Sequence, residues 1–501
     1  MPFKTYWKPH NYRRPRFGVP EQGYIAGAIG KAYNWPTGIT ADIPTVWIPE
    51  LGGAPPSASV ASEWCDSVGI PVPNVGIIGT AVPDQGGADV EVALDGYPTV
   101  AAGVAYMFGG RAAKFVYVFG PNSDAGMIWC YQQILAACKP GDSASFSWGG
   151  PESSYALATI DSLIGLFLQL INKGVTLTFA SGDNGPTDGT QLLVTDFPGS
   201  APWGICCGAT TITINSAGLS VSQVPWNSGG GASGGGYSKI IPVPSYQTGI
   251  VPAGSSGRGC PDVAINGDPA TGYNVPNTNS PVGGTSAAAP MMATLAIGLN
   301  ALAIQAGKPP LGLGNNIFYA NANAATFFQV TTGTIGDGMN AGPGPWNPAA
   351  GCGSPNGLAL QAIMLGTAPP VTPPVVPPVV PPVTPVGGMT LAQVVSAINT
   401  EFAKLEALNP MLRRILVAVN AALVADLTAV WPNGNAAKAM KALAEVYQYE
   451  NLVYPRIAWE PILQELPMLI GLGKEIIPIA QEILPVVLQI YQMIESRSHP
   501  A

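Results

Sequence analysis

Between residues 45 and 182 short, β-rich apolar runs alternate with longer stretches whose apolar positions recur at helical spacing. The predicted strands are TVWIPEL (45–51), NVGIIGT (74–80), AKFVYVFG (113–120), SASFSWGG (143–150) and VTLTFASG (175–182). The predicted helices between them are VEVALDGYPTVAAGVAYM, AGMIWCYQQILAAC and SYALATIDSLIGLFLQLINKG. Alternation of this kind builds right-handed βαβ units around a buried parallel sheet. The expected fold class is therefore α/β, a doubly wound parallel sheet, with its site at the carboxyl ends of the strands.

The pattern changes at both ends of this region. Residues 1–17 carry Lys4, Lys8, Arg13, Arg14 and Arg16 with no acidic side chain, and read as an extended basic arm. Residues 18–386 hold 19 acidic against 8 basic side chains. The arm is thus expected either to strap onto its own acidic domain or to dock on another protein. The main domain runs over 18–367. A linker at 368–388, APPVTPPVVPPVVPPVTPVGG, has nine prolines and no charge and should be extended polyproline II. Beyond it, 389–501 reads as an all-α module, with Leu391, Val394, Val395, Ile398, Phe402, Leu405 and Leu408 forming one stripe that wants a partner surface. That stripe predicts self-association or docking to a protein assembly.

Composition narrows the chemistry. The chain has 501 residues, 47% of them hydrophobic and 10% charged, enough for more than one folded domain. A net charge of −8 argues against nucleic acid as a partner. The apolar stretch from Leu466 to Ile494 is broken by Lys474, Glu475, Glu482, Pro478 and Pro485, so no membrane span is expected there. The segment after Met1 lacks an apolar signal region. Seven cysteines without a CxxC pair make a poor metal or disulfide framework. The two histidines, His10 and His499, lie in the terminal segments, which makes a histidine-based triad or metal centre in the main domain improbable. Any nucleophile must find another base.

Three places could carry such chemistry. GGTSAAAPMMATLAIGLNALAIQAG sets Ser286 at the start of a long apolar helix, with Pro290 expected in its first turn, where proline is tolerated. A helix N-terminus favours a developing oxyanion, although a serine there is also an ordinary cap. Glu91 and Asp95, four residues apart on an apolar helix, share one face. Buried together they must share a proton, which yields a general base that works in acid. Asp183, in ASGDNG, closes a predicted strand at its carboxyl end, or caps its own turn. SGGGASGGG (228–236) lacks the lysine of a phosphate loop and reads as backbone in close approach, at the edge of a cleft.

Taken together, GGTSAAAP, ASGDNG and the Glu91/Asp95 pair resemble the sedolisins, serine-carboxyl peptidases on a subtilisin-like fold. The resemblance extends in order through IPELGG, SFSWGGPE, FPGSAPWGICCGATTI, SGGGYS, PSYQ and RGCPDVAINGDPATGYNV, over roughly residues 24–365, and is strongest to the kumamolisin-like branch. It implies Ser286 as nucleophile, Glu91 as its base, Asp95 as the carboxylate supporting Glu91, and Asp183 as the acid of the oxyanion hole. Glu50 and Trp148 match the outer residues of that proton network.

Three departures accompany the match. The family's calcium loop is degenerate here, at Gln329, Val330, Gly342, Gly344 and Asn347, with two carboxylates replaced by amides. That argues against calcium, and no other cofactor is expected. The long prosegment of the family has no counterpart before residue 18, and neither the linker nor the helical module belongs to the pattern. The expected function is acid-acting hydrolysis of protein or peptide substrates through an acyl-enzyme on Ser286. The alternative is a structural protein that keeps the fold for binding. The composite layout points to a virion component such as a phage tail protein, the other option being an extracellular peptidase.

Overall fold

The computed structural model describes residues 8–9, 12–13, 23–83, 87–252 and 255–367. The predicted linker (368–388), the helical module (389–501) and most of the basic arm lie outside the described residues. Contacts divide the chain into Met1–Val371 and Thr372–Ala501, and all the described residues fall in the first unit.

Among the described residues, six neighbouring strands along the main path of the sheet run parallel: β1 (Val46–Glu50), β2 (Asn74–Gly79), β3 (Lys114–Phe119), β4 (Ser143–Phe146), β5 (Thr176–Ala180) and β6 (Ile205–Ile214). Their spatial order is β2-β3-β1-β4-β5-β6. β7 (Ser220–Pro225) turns back antiparallel on β6, and β8 (Val263–Asn266) joins β6 in parallel. The winding direction reverses between β1 and β4, and such a reversal opens a crevice at the carboxyl ends of the two strands.

Side chains alternate between two apolar layers. Val46, Ile48, Phe115, Tyr117 and Phe119 enter one cluster. Trp47, Val118, Phe146, Leu177 and Phe179 enter the other. The near-continuous apolar runs of the sequence follow from this burial on both faces. The first cluster is covered by α1 (Gly87–Leu94), α2 (Ala102–Met107) and α5 (Thr285–Gln305), the second by α3 (Asp124–Ala137) and α4 (Leu157–Asn172). By length and composition α5 could cross a membrane, but 89% of its most apolar window is buried in the domain, as befits a core helix.

Three sequence expectations are corrected. The run 143–150 is not one strand: it breaks at Ser147, and Trp148–Pro151 leaves the sheet to pair antiparallel with Asp196–Phe197. The helix expected over 90–107 has a π-helical turn, Asp95–Ala101, between α1 and α2. Pro98 has no N–H for the Leu94 carbonyl, and the Thr99 hydroxyl donates to it instead at 2.9 Å. Pro290 lies in the second turn of α5, not the first, because the helix starts at Thr285. It therefore leaves the carbonyl of Ser286, four residues back, without its helical donor.

Of the basic arm, Lys8–Pro9 pairs antiparallel with Trp148–Gly149, and Tyr12–Arg13 with Val282–Gly283. These residues lie on the arm's own domain.

Candidate active site

Ser286 enters α5 one residue after Thr285. Gly284 precedes the helix at φ 125°, a backbone conformation that a side chain would strain. Ser286 is fully buried, and its Oγ donates to the Ser147 carbonyl at 3.4 Å. The Ser147 hydroxyl in turn lies 3.3 Å from the Ser286 carbonyl that Pro290 leaves open, and 3.0 Å from Asp95 Oδ1. A proline in the helix and a break in β4 thus tie the serine to the acidic cluster.

Glu50, at the carboxyl end of β1, Glu91 on α1 and Asp95 at the π-turn are all fully buried. Tyr117, on β3, adjoins these carboxyls: its hydroxyl donates to the Val92 carbonyl at 2.6 Å, and a Cβ at Gly96 would lie 1.9 Å from the Tyr117 hydroxyl oxygen. Glycine at 96 is what admits it. Burial holds Asp95 well above its ordinary range, and the charges of Glu91 and then Glu50 push it in the same direction. Burial likewise raises Glu50 far above its ordinary value, assisted by Glu91 and opposed by the Trp148 indole N–H, which donates to Glu50 Oε2 at 2.8 Å. Three carboxyls gathered in one apolar site cannot all ionise. A hydroxyl has a single proton. Ser147 can satisfy both of its neighbours at once when it donates to the Ser286 carbonyl and Asp95, protonated, donates to it.

Asp183 stands three residues beyond β5, 1% exposed. Its Oδ1 accepts the Thr285 backbone N–H at 2.8 Å and the Thr285 hydroxyl at 2.7 Å, which anchors the carboxyl beside the first residue of α5. The glycine-rich segment packs against this loop. Ala232 and Gly234 donate backbone N–H groups to the carbonyls of Asp183 and Gly182. A Cβ at Gly234 would lie 1.8 Å from the Ser181 carbonyl oxygen. The close backbone approach read from SGGGASGGG is thus present.

The fold brings Ser286, Glu91, Asp95, Glu50 and Trp148 to one end of the β1–β4 crevice and sets Asp183 against the start of α5. Sequence reasoning missed Ser147 and Thr285, although both sit inside quoted motifs, SFSWGG and GGTS. A hydroxyl residue next to each motif's key position was the available signal. A cavity of about 460 Å³ adjoins the crevice, lined by Leu51, Gly53, Thr80, Gly120, Asn122 and Trp148.

No family model matches the chain. It is 37% identical over 366 residues to kumamolisin of Bacillus sp. (strain MN-32), an alignment that covers 68% of this chain and 63% of that protein. The solved structure of Pseudomonas sedolisin, a serine-carboxyl proteinase complexed with two molecules of pseudo-iodotyrostatin, superposes with a TM-score of 0.59 at 23% identity. It covers 69% of this chain and 99% of the sedolisin chain. About two thirds of this chain is a sedolisin-family segment of the kumamolisin-like kind.

The sedolisin segment is also 33% identical over 249 residues to tripeptidyl-peptidase 1 of Homo sapiens, covering 44% of this chain and 42% of that protein. With aorsin of Aspergillus oryzae it shares 32% over 273 residues, 45% of this chain and 41% of aorsin. The chain spans less than two thirds of the length of each of these relatives. The sheet order and the helices on both faces make the fold of the segment the subtilisin-like α/β fold.

Proposed function

We propose that the sedolisin segment is an acid-acting serine-carboxyl endopeptidase. The observation that carries this reading is the buried carboxyl cluster joined through Ser147 to a serine at a helix N-terminus, with no histidine among the described residues. Glu91 takes the proton of Ser286 as Oγ attacks the peptide carbonyl carbon. Asp95 and Glu50, kept protonated, hold Glu91 as the one ionised member of the three. Asp183, with Oδ1 committed to Thr285, takes its proton on the other oxygen in acid and donates to the tetrahedral oxyanion. Glu91 then returns the proton to the leaving amine, and the same residue activates the water that releases the acyl group.

The substrate class follows from the edges that flank the serine. Trp148–Pro151 begins next to Ser147, and Val282–Gly283 ends three residues before Ser286. Both edges already accept an extended chain, the arm's own Lys8–Pro9 and Tyr12–Arg13. Pro9 and Tyr12 are separated by at most roughly 10 Å of backbone, so one short chain reaches from the first edge to the second. A protein or peptide substrate bound by strand addition fits these edges. That occupancy by the arm also favours the alternative, a domain that binds rather than turns over.

One experiment separates the two readings. Hydrolysis of a denatured protein is followed from pH 3 to 8 for the parent, for Ser286→Ala, for Glu91→Gln and for a form lacking residues 1–17. The peptidase reading expects an acid optimum, loss of activity in both substitutions and a higher kcat/KM without the arm. A neutral optimum, activity unchanged in either substitution, or no turnover with or without the arm refutes it. We further propose that residues 389–501 hold the domain on a larger protein assembly, such as a virion. The sequence pattern of that segment supports this, and a monomeric mass of the full chain by light scattering, with no bound partner, would count against it.

A further inference from the structure

The five residues of the degenerate loop, Gln329, Val330, Gly342, Gly344 and Asn347, do come together in the fold, but not in a way that fits a cation. Asn347 is 8% exposed, and its Oδ1 accepts the backbone N–H groups of Ala349 at 3.2 Å and Ala350 at 3.0 Å. Those two donors decide which way the amide faces, because a backbone N–H can only donate. Asn347 Nδ2 consequently points to the other side, where it donates to the Val330 carbonyl at 3.0 Å and the Gly342 carbonyl at 3.3 Å. Gln329 Nε2 donates to the Gly344 carbonyl at 3.1 Å.

Calcium takes about 6–8 oxygen ligands at roughly 2.3–2.6 Å, carboxylates prominent among them. Here none of the five residues has a carboxylate, and each of the three carbonyls that would serve as ligands already receives an amide proton. Carbonyl dipoles that converge need positive charge between them, and an amide N–H carries a partial one. We propose that in this chain two side-chain amides stand in place of a divalent cation as the cross-link of the 329–351 loop. The cross-link reaches the sheet. Asn347 exchanges backbone hydrogen bonds with Gly351 at 3.0 and 2.8 Å, and Val330 and Ala350 pack on Ala264 of β8. The loop is therefore braced against the sheet without metal, and its integrity is independent of calcium.

The test uses the full chain as parent, Asn347→Asp and the double variant Gln329→Asp/Asn347→Asp. Thermal unfolding is recorded in EDTA and in millimolar calcium chloride. The parent Tm should be the same in both. Asn347→Asp should unfold at least about 2–4 °C lower in EDTA, a shift readable for a domain of this size, because it sets a carboxylate against two carbonyls that have lost their donor. Calcium should raise the Tm of the double variant by a similar amount. A parent Tm that moves with calcium or EDTA overturns the proposal, as does Asn347→Asp matching the parent in EDTA, or a double variant indifferent to calcium. If the variants do not fold, terbium titration of the parent remains decisive, since Trp346 lies in the loop beside Asn347 and would sensitise emission. Calcium-displaceable terbium emission refutes the proposal and its absence supports it.

Discussion

Asp95 and Glu50 have ordinary values of 3.8 and 4.5, and both are held well above them in the folded domain, first by burial and then by neighbouring carboxylates. The unfolded chain releases these protons near the ordinary values, while the folded one retains them. The slope of unfolding free energy with pH is 2.303RT times the protons bound in the unfolded state minus those bound in the folded state. As pH rises above 4.5 that difference approaches minus two. Stability from these groups is fully present below their unfolded values and is lost as pH rises towards their folded ones. Each retained proton costs about 1.4 kcal/mol per pH unit, so the two together cost about 2.7 kcal/mol per unit. Asp95→Asn and Glu50→Gln present the neutral form at every pH. Glutamine also keeps an oxygen for the Trp148 N–H, which lies 2.8 Å from Glu50 Oε2 in the parent. Each substitution should remove about 1.4 kcal/mol per pH unit from the slope, and the double variant should lose the whole contribution. Urea unfolding followed by tryptophan fluorescence at intervals between pH 4.5 and 6.5 measures it. A double variant with the parent's slope would show that neither group keeps its proton in the folded state, and the acid-base scheme would fall with it.

Thr285→Val removes the hydroxyl that donates to Asp183 Oδ1 at 2.7 Å. If it orients an oxyanion donor, kcat should fall by about 10²-fold, with KM little changed and Thr285→Ser restoring most of the rate; a change confined to KM would contradict the role. Ser147→Ala breaks the link between Asp95 and the carbonyl of Ser286, and should shift the pH profile of kcat while Ser147→Thr preserves it, read from steady-state rates at saturating peptide. Arg258 and Asp262 form a fully buried ion pair at 2.5 Å. Arg258→Met should destabilise the domain by about 3–5 kcal/mol in urea, since it leaves Asp262 buried without its cation. A loss under about 1 kcal/mol would mean that the pair behaves as an exposed one.

Strand and helix positions were legible because their signals are local. Apolar runs at 46–50, 114–119 and 176–180 read as strands covered on both faces, and the order of alternation implied a parallel sheet. The glycine-threonine-serine approach to α5 was likewise readable, since a chain entering a helix through Gly284 at positive φ needs glycine there. Even the proline positions were visible in the sequence. Their consequence was not, because the free carbonyls of Leu94 and Ser286 matter only through what fills them.

The linkages of the site belong to the tertiary structure. Ser147 meets Asp95 across 52 residues, Trp148 meets Glu50 across 98, and Thr285 meets Asp183 across 102. No periodicity encodes such pairs, which exist because β1, β4 and β5 place their carboxyl ends side by side under the N-terminus of α5. The same holds for Asn347. From the sequence alone it is a lost carboxylate, and only the fold, by turning its oxygen to Ala349 and Ala350, makes its nitrogen the donor to Val330 and Gly342. Composition therefore determined what chemistry was available to this chain, while the switch in strand order between β1 and β4 decided which distant groups meet at the site, because only packing brings buried charges close enough to couple.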